Sequence, residues 1–199
     1  MLKRTKGRIL LTMLVITGLA GTVRDNSLST QQRKALIAPL REVKNELPVL
    51  IKRLNKDQLN FRRDEKSQTI REIFLDLVKS DRILWQRLED AMKQRIPLPT
   101  DLIQKKDNPG PSDRLDGEVE KKQARSVKSV EDALTFFKEM KAAQVKYIRT
   151  TTEDLQSRCV TVDGKTLDCQ QLLNLIVTRN EGKLAQIHQI VADPLFPQK

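Results

Sequence analysis

Three polar side chains interrupt an otherwise apolar helical stripe near the end of the chain. The segment "LIVTRNEGKLAQIHQI", residues 175–190, has apolar residues at helical spacing. At about 100° per residue, Asn180 and Lys183 fall within this stripe and Arg179 falls at its edge. Burying an unpaired ammonium group is costly. The stripe therefore opens into a pocket, meets an acid from another helix, or lies at a bundle end where Lys183 reaches water.

Two cysteines, Cys159 and Cys169, flank the sequence "VTVDGKTLD". Asp163-Gly164 is a strong signal for a tight hairpin turn, which would bring the two cysteines together. An oxidising compartment would join them in a disulfide, and otherwise they are two reduced thiols. The chain has no C-x-x-C pair, and its one histidine, His188, falls at the edge of the stripe. A zinc site at the cysteines is therefore disfavoured. We predict no bound metal and no cofactor elsewhere in the chain.

The first residues, "MLKRTKGRILLTMLVITGLAGTV", combine a basic start with a short apolar run. A run of about 15 residues is short for a membrane span and typical of a secretory signal peptide. We predict that residues 1–20 form this signal, with cleavage near Ala20. The alternatives are an uncleaved anchor or a buried helix. The prediction places the mature protein in the periplasm or outside the cell, with no membrane attachment after cleavage.

The formal charge of the whole chain is +11, and residues 1–20 contribute four Lys/Arg and no Asp/Glu. Their removal would leave a charge of +7, which still favours anionic partners through long-range fields. However, the cations alternate with acids, as in "LREVKNEL". No basic run is interleaved with aromatic residues in the way that single-stranded nucleic acid binding requires. We interpret the charge as a solvated helical surface and expect no nucleic-acid partner.

The composition and the periodicity predict an all-α protein with one domain, residues 28–193. The apolar patterns predict four helices: Thr30–Leu54, Gln68–Gln94, a helix that Ser129 caps and that ends near Thr152, and Cys169–Ala192. A proline-rich segment, 97–128, separates the second and third helices, and it is either functional or flexible. The hairpin separates the third and fourth. These elements predict a four-helix bundle with one long crossover and one short hairpin connection.

The sequence resembles the DinB-like superfamily of four-helix bundles, which includes bacillithiol transferases. The resemblance covers residues 30–192. The segment that resembles the family's first connector and second helix reads "LIKRLNKDQLNFRRDEKSQTIREIFLDLVKSDRILWQRL". The segment that resembles its third helix reads "SVEDALTFFKEMKAAQVKYIRTTTEDLQSR", and the one that resembles its last helix reads "LDCQQLLNLIVTRNEGKLAQIHQI". The tryptophan that usually precedes the second helix is replaced here by Gln68. Bundles of this type often pair, so the resemblance favours a homodimer.

The resemblance implies a divalent metal held by three histidines, one on the second helix and two on the fourth. Carried over by position, those places hold Asp76, Arg179 and Lys183. Two cations cannot act as ligands beside one carboxylate, because their charge replaces that of the ion. We therefore expect Asp76 to face Arg179 and Lys183, with ion pairing in the structural role of the metal.

Three functions are compatible with these residues. The first is a non-catalytic exported bundle that binds an unknown small, anionic molecule or a partner protein near Asp76, Arg179, Asn180 and Lys183. The second is a transferase or hydrolase of the family kind that works without metal or with weakly bound metal and uses the two cations to hold an anionic substrate. The third, a nucleic-acid binder, is disfavoured by export and by scattered charge. The missing metal ligands favour the first.

Overall fold

The computed structural model describes residues 27–94 and 129–198. The predicted signal peptide, residues 1–20, and the predicted crossover segment, 97–128, lie outside the described residues. The described residues form five helices and one β-hairpin: α1 Thr30–Arg53, α2 Lys56–Leu59, α3 Ile70–Gln94, α4 Val130–Thr150, β1 Cys159–Val162, β2 Lys165–Asp168 and α5 Cys169–Val191.

The four long helices form the predicted bundle, in which α1 and α3 each pack against both α4 and α5. Phe74 meets Phe137 and Asp81 meets Lys141, so α3 and α4 run parallel. Parallel neighbours require a long crossover between them. The connection from α4 to α5 is the hairpin. The predicted fold class, an all-α four-helix bundle with these two connections, is therefore confirmed.

The helices begin where the sequence provides caps. Ser29 and Asp168 form capping boxes with the glutamine three residues later, at the start of α1 and α5. At the start of α4, the Ser129 hydroxyl accepts a hydrogen bond from the Asp132 N–H at 3.0 Å. Each helix then turns its apolar stripe inward, and the core includes Leu40, Leu47, Ile73, Phe74, Leu77, Leu84, Leu88, Phe137, Ile148, Leu172, Ile176 and Ile187.

The hairpin forms as the Asp163-Gly164 pair predicts. Both residues have positive φ, 50° and 72°, and they connect two antiparallel strands in which Val160 pairs with Leu167. A two-residue turn with positive φ at both positions matches the twist of the strands that it joins. No atom lies within 4 Å of a Cβ built at Gly164. The glycine is therefore favoured by its conformation and not by lack of space.

The connector between α1 and α3 is more ordered than its polar composition indicates. It contains the short helix α2, which Asn55 and Gln58 begin with a capping box. Phe61 packs edge-on against Phe196 with ring centroids 5.4 Å apart, which holds the chain end against the connector. Within residues 27–94 and 129–198, no helix has the length and apolar character needed to cross a membrane.

Candidate functional site

The structure brings Lys183 of α5 and Asp76 of α3 together. The Lys183 Nζ lies 3.2 Å from the Asp76 Oδ2, and the exposed fractions of the two side chains are 19% and 49%. The predicted contact between these two residues therefore exists. It lies at the edge of the seam between α3 and α5, because half of the Asp76 side chain is exposed. The lysine in the apolar stripe reaches a carboxylate near the surface instead of ending in the core.

Arg179, one turn before Lys183, has a carboxylate partner on the hairpin. Its guanidinium lies 3.7 Å from Asp163, and both side chains are largely buried. The hairpin packs along α3 and α5, and the Arg87 guanidinium donates a hydrogen bond to the Thr161 carbonyl at 3.0 Å. We expected Asp76 to face both cations, and its contact with Lys183 agrees with that expectation. Asp163, at the turn of the hairpin, provides a carboxylate for Arg179 that we did not predict.

Asn180 belongs to a different group of residues, in the centre of the bundle. Its residue surface is 1% exposed, and its Nδ2 donates hydrogen bonds to the Asp81 Oδ1 at 3.3 Å and the Ile176 carbonyl at 2.6 Å. Asp81 also accepts hydrogen bonds from Lys141 and, at 3.3 Å, from the Gln144 amide. We call Asp81, Lys141, Gln144 and Asn180 the central polar cluster. It links α3, α4 and α5.

The ion pair of the central polar cluster is enclosed. The side chains of Asp81 and Lys141 are 1% and 0% exposed, and the Lys141 Nζ also donates to the Gln144 Oε1 at 3.0 Å. Burial lowers the pKa of Lys141 from its ordinary value of 10.5, and the neighbouring Asp81 carboxylate opposes that effect. The ammonium stands 5.3 Å from the centre of the Phe137 ring, which adds a cation–π contact. The bundle therefore holds a paired charge at its centre.

The sequence analysis missed Asp81, Lys141 and Gln144, although the sequence contains a signal for them. Asp81 lies four residues after Leu77 and three before Leu84, so it occupies a core position of α3. Lys141 and Gln144 follow Phe137 by four and seven residues on α4. Opposite charges at core positions of two helices indicate a buried ion pair. A prediction that counts only apolar residues in the inward stripes of α3 and α4 overlooks the pair of Asp81 with Lys141.

Both cysteines are buried, and the structure has no disulfide bond between them. The strand register pairs Cys159 with Asp168. Cys169 is therefore the neighbour of the residue that faces Cys159 across the hairpin. Burial raises the pKa of the Cys169 thiol to about 12, and the nearby Asp168 and Cys159 add to that rise. Burial also raises the pKa of Cys159. The hairpin therefore brings the cysteines near each other, and the disulfide between them stays a prediction.

His188 lies away from Asp76 and Lys183. Its Nε2 is 2.7 Å from the Glu46 Oε1 of α1, and both side chains are close to half exposed. This position agrees with its predicted place at the edge of the apolar stripe. The histidine therefore connects α5 to α1 at the surface.

The residues do not fit a divalent transition metal. Such a metal usually requires at least three protein ligands, drawn from His, Cys, Asp and Glu. Within the part of the chain that the structure describes, no three of these residues are grouped where they could hold an ion. The three positions that the resemblance implies carry one carboxylate and two cations, Asp76, Arg179 and Lys183.

Comparison with known proteins agrees with this fold. The family model of the DinB superfamily matches residues 40–187. The chain therefore belongs to the DinB superfamily. A solved structure with the same fold is YfiT from Bacillus subtilis, described as a probable metal-dependent hydrolase with an unusual four-helix bundle topology. The sequences are 17% identical over 83% of this chain and 89% of YfiT, with a TM-score of 0.60. The comparison with curated proteins finds no match.

Proposed function

We propose that this chain is an exported, non-catalytic member of the DinB superfamily that binds a small anionic ligand or a partner protein where α3 meets α5. The observation that carries the proposal is the pairing of Lys183 with Asp76 at 3.2 Å. These residues stand at two of the positions where the family resemblance implies metal ligands. Export is supported by the basic and apolar pattern of residues 1–20.

The side chains at this place favour binding over catalysis. Covalent catalysis requires a nucleophile activated by a base within hydrogen-bond reach. Asp76, Arg179 and Lys183 provide charge, and the two groups that could act as nucleophiles, the Lys183 amine and the Asp76 carboxylate, are paired with each other. Cys169 is fully buried, and the rise in its pKa to about 12 disfavours the reactive thiolate. The site is therefore suited to holding charge.

An anion can replace Asp76 as the counter-ion of Lys183 at small cost. Exposed ion pairs contribute about 0–1 kcal/mol, and Asp76 is half exposed. Lys183 is 19% exposed, so its ammonium can be approached from the solvent. Because Asp76 and the ligand compete for one ammonium, we expect an affinity in the millimolar range.

The experiment uses mercaptoacetate, which carries a carboxylate and a thiol, and 2-mercaptoethanol as the uncharged probe. Binding is followed from amide chemical shifts around residue 183. Lys183→Gln should lower the mercaptoacetate affinity. Asp76→Asn should raise it by up to about fivefold, because the competing carboxylate is removed. Lys146→Gln, which removes an exposed lysine of α4, is the matched control and should bind as the wild type does.

Equal binding of the charged and uncharged probes would count against an anion site. So would an affinity that Lys183→Gln leaves unchanged. A decrease in affinity on Asp76→Asn would mean that Asp76 holds the ligand instead of competing with it.

A further inference from the structure

A cavity of about 310 Å³ lies on the side of the bundle away from Lys183. It opens where the end of α1, the helix α2 and the first turns of α4 separate, whereas Asp76 and Lys183 lie at the seam of α3 and α5. The chain leaves α1 at Leu54, which has an extended backbone, before α2 begins. The cavity is therefore lined by the last turn of α1 and by α2 on one side and by the first turns of α4 on the other.

Part of the wall of this cavity is apolar, and charged and polar side chains line the rest. The apolar part is formed by Ile51, Leu54, Leu59, Val130 and Leu134, and Ile51, Leu59, Val130 and Leu134 are buried residues of the core. Hydrocarbon would bind favourably against the apolar part, since each buried methylene contributes about 0.8 kcal/mol. At the packing density of protein interiors, the volume holds about a dozen non-hydrogen atoms.

The rim of the cavity is basic. Lys52 of α1 and Lys138 of α4 line it together with one acid, Glu131. Among the described residues, neither lysine has a carboxylate within ion-pair distance. The fourth polar residue, Thr135, donates its hydroxyl hydrogen to the Glu131 carbonyl at 3.2 Å. The rim therefore has an excess of positive charge that is open to solvent.

We infer that this cavity binds a small amphipathic carboxylate, with its hydrocarbon chain against Leu59 and Leu134 and its carboxylate between Lys52 and Lys138. An apolar wall alone would accept any hydrocarbon. The two lysines select the anionic end group, because a cationic one would meet two like charges and one acid. The volume corresponds to a medium-length chain. This site is separate from the one in the proposed function.

The test compares octanoate with octylammonium, two probes with similar chains and opposite charges. Titrations of the full chain are followed from methyl and amide chemical shifts and by calorimetry. Octanoate should saturate a site whose shifts map to Ile51, Leu59 and Leu134. Octylammonium should bind about tenfold more weakly, since exposed charge contacts contribute about 1 kcal/mol each.

A matched pair of variants separates the local charge from the total charge. Lys52→Glu with Lys138→Glu should weaken octanoate about tenfold or more and should strengthen octylammonium. Lys34→Glu with Lys146→Glu makes the same change in net charge at exposed positions of α1 and α4 outside the cavity, and should leave both affinities unchanged. The circular dichroism of each variant verifies that the bundle is intact.

Three results would overturn the inference. The first is equal affinity for the two probes. The second is an equal effect of the two double variants. The third is the lack of saturable shifts at the cavity, as would occur if another part of the chain or a second copy filled it.

Discussion

Replacing Asp81 by alanine should destabilise the protein by about 3–5 kcal/mol, the usual cost of stranding one member of a buried ion pair. The Lys141 side chain is 0% exposed, so its ammonium cannot reach water without opening the bundle. Gln144 would stay 3.0 Å from the ammonium, but as an uncharged acceptor. The amides of Gln144 and Asn180 would also lose an acceptor.

A second substitution distinguishes the stranded charge from the loss of packing. Lys141→Met removes the ammonium and retains most of the volume. Alone it should also destabilise, because Asp81 then becomes the unpaired charge. In the double variant Asp81→Ala/Lys141→Met, the cost should be at least about 2 kcal/mol smaller than the sum of the two single costs, since no charge is left without a partner.

The assay is urea denaturation at pH 7, because urea does not screen charge. Circular dichroism reports the helices, and the fluorescence of Trp85, which packs edge-on against Tyr147, reports the interior. Coincident transitions would justify a two-state analysis. If Asp81→Ala costs less than about 1 kcal/mol, or if the two substitutions are additive, the central polar cluster is not a coupled buried pair and our reasoning is refuted.

The remaining predictions concern the outer pair and the cysteines. In the same assay, Asp76→Ala should lower the free energy of unfolding by no more than about 1 kcal/mol, because the pair of Asp76 with Lys183 is partly exposed. A loss near that of Asp81→Ala would mean that the pair of Asp76 with Lys183 is enclosed. In exported protein, alkylation without reduction followed by mass measurement should show a Cys159–Cys169 disulfide, and two labelled thiols would contradict it. For the reduced chain, the pKa of Cys169 rises from 9.0 to about 12 on folding, so the unfolded thiol ionises first. Relative to Cys169→Ala, the free energy of unfolding of the wild type should therefore fall by up to about 1.4 kcal/mol per pH unit as the pH rises from 9 toward 12. Equal pH dependence of the free energy of unfolding in the two proteins would contradict this.

The fold was predictable because its signals are local. Ser129 marks the start of α4 and Asp163-Gly164 the turn of the hairpin, and the apolar periodicity shows which face of each helix is buried. The short helix α2 was missed because its four residues form a single turn, in which no periodic pattern can repeat. Its start could have been found from Asn55 and Gln58, which form a capping box.

The candidate site was only partly predictable because its contacts depend on the packing of separate elements. The contact of Asp76 with Lys183 followed from the family resemblance together with the helical pattern. The partner of Arg179 did not, since the carboxylate of Asp163 reaches it only when the hairpin packs along α5. Asn180 was correctly placed on an inward face, but its partner Asp81 was overlooked as a charged residue at a core position.

The most direct test of the central claim, that paired charges stand where the family resemblance implies a metal, is elemental analysis of two proteins purified without metal-affinity resin. The wild-type chain should contain no stoichiometric zinc, nickel or iron. The triple variant Asp76→His/Arg179→His/Lys183→His should gain about one equivalent of zinc, since three histidines on α3 and α5 provide a ligand set. About one metal ion per wild-type chain would contradict the account. So would a folded triple variant that binds no more zinc than the wild type, because these three positions would then not be the former ligand positions.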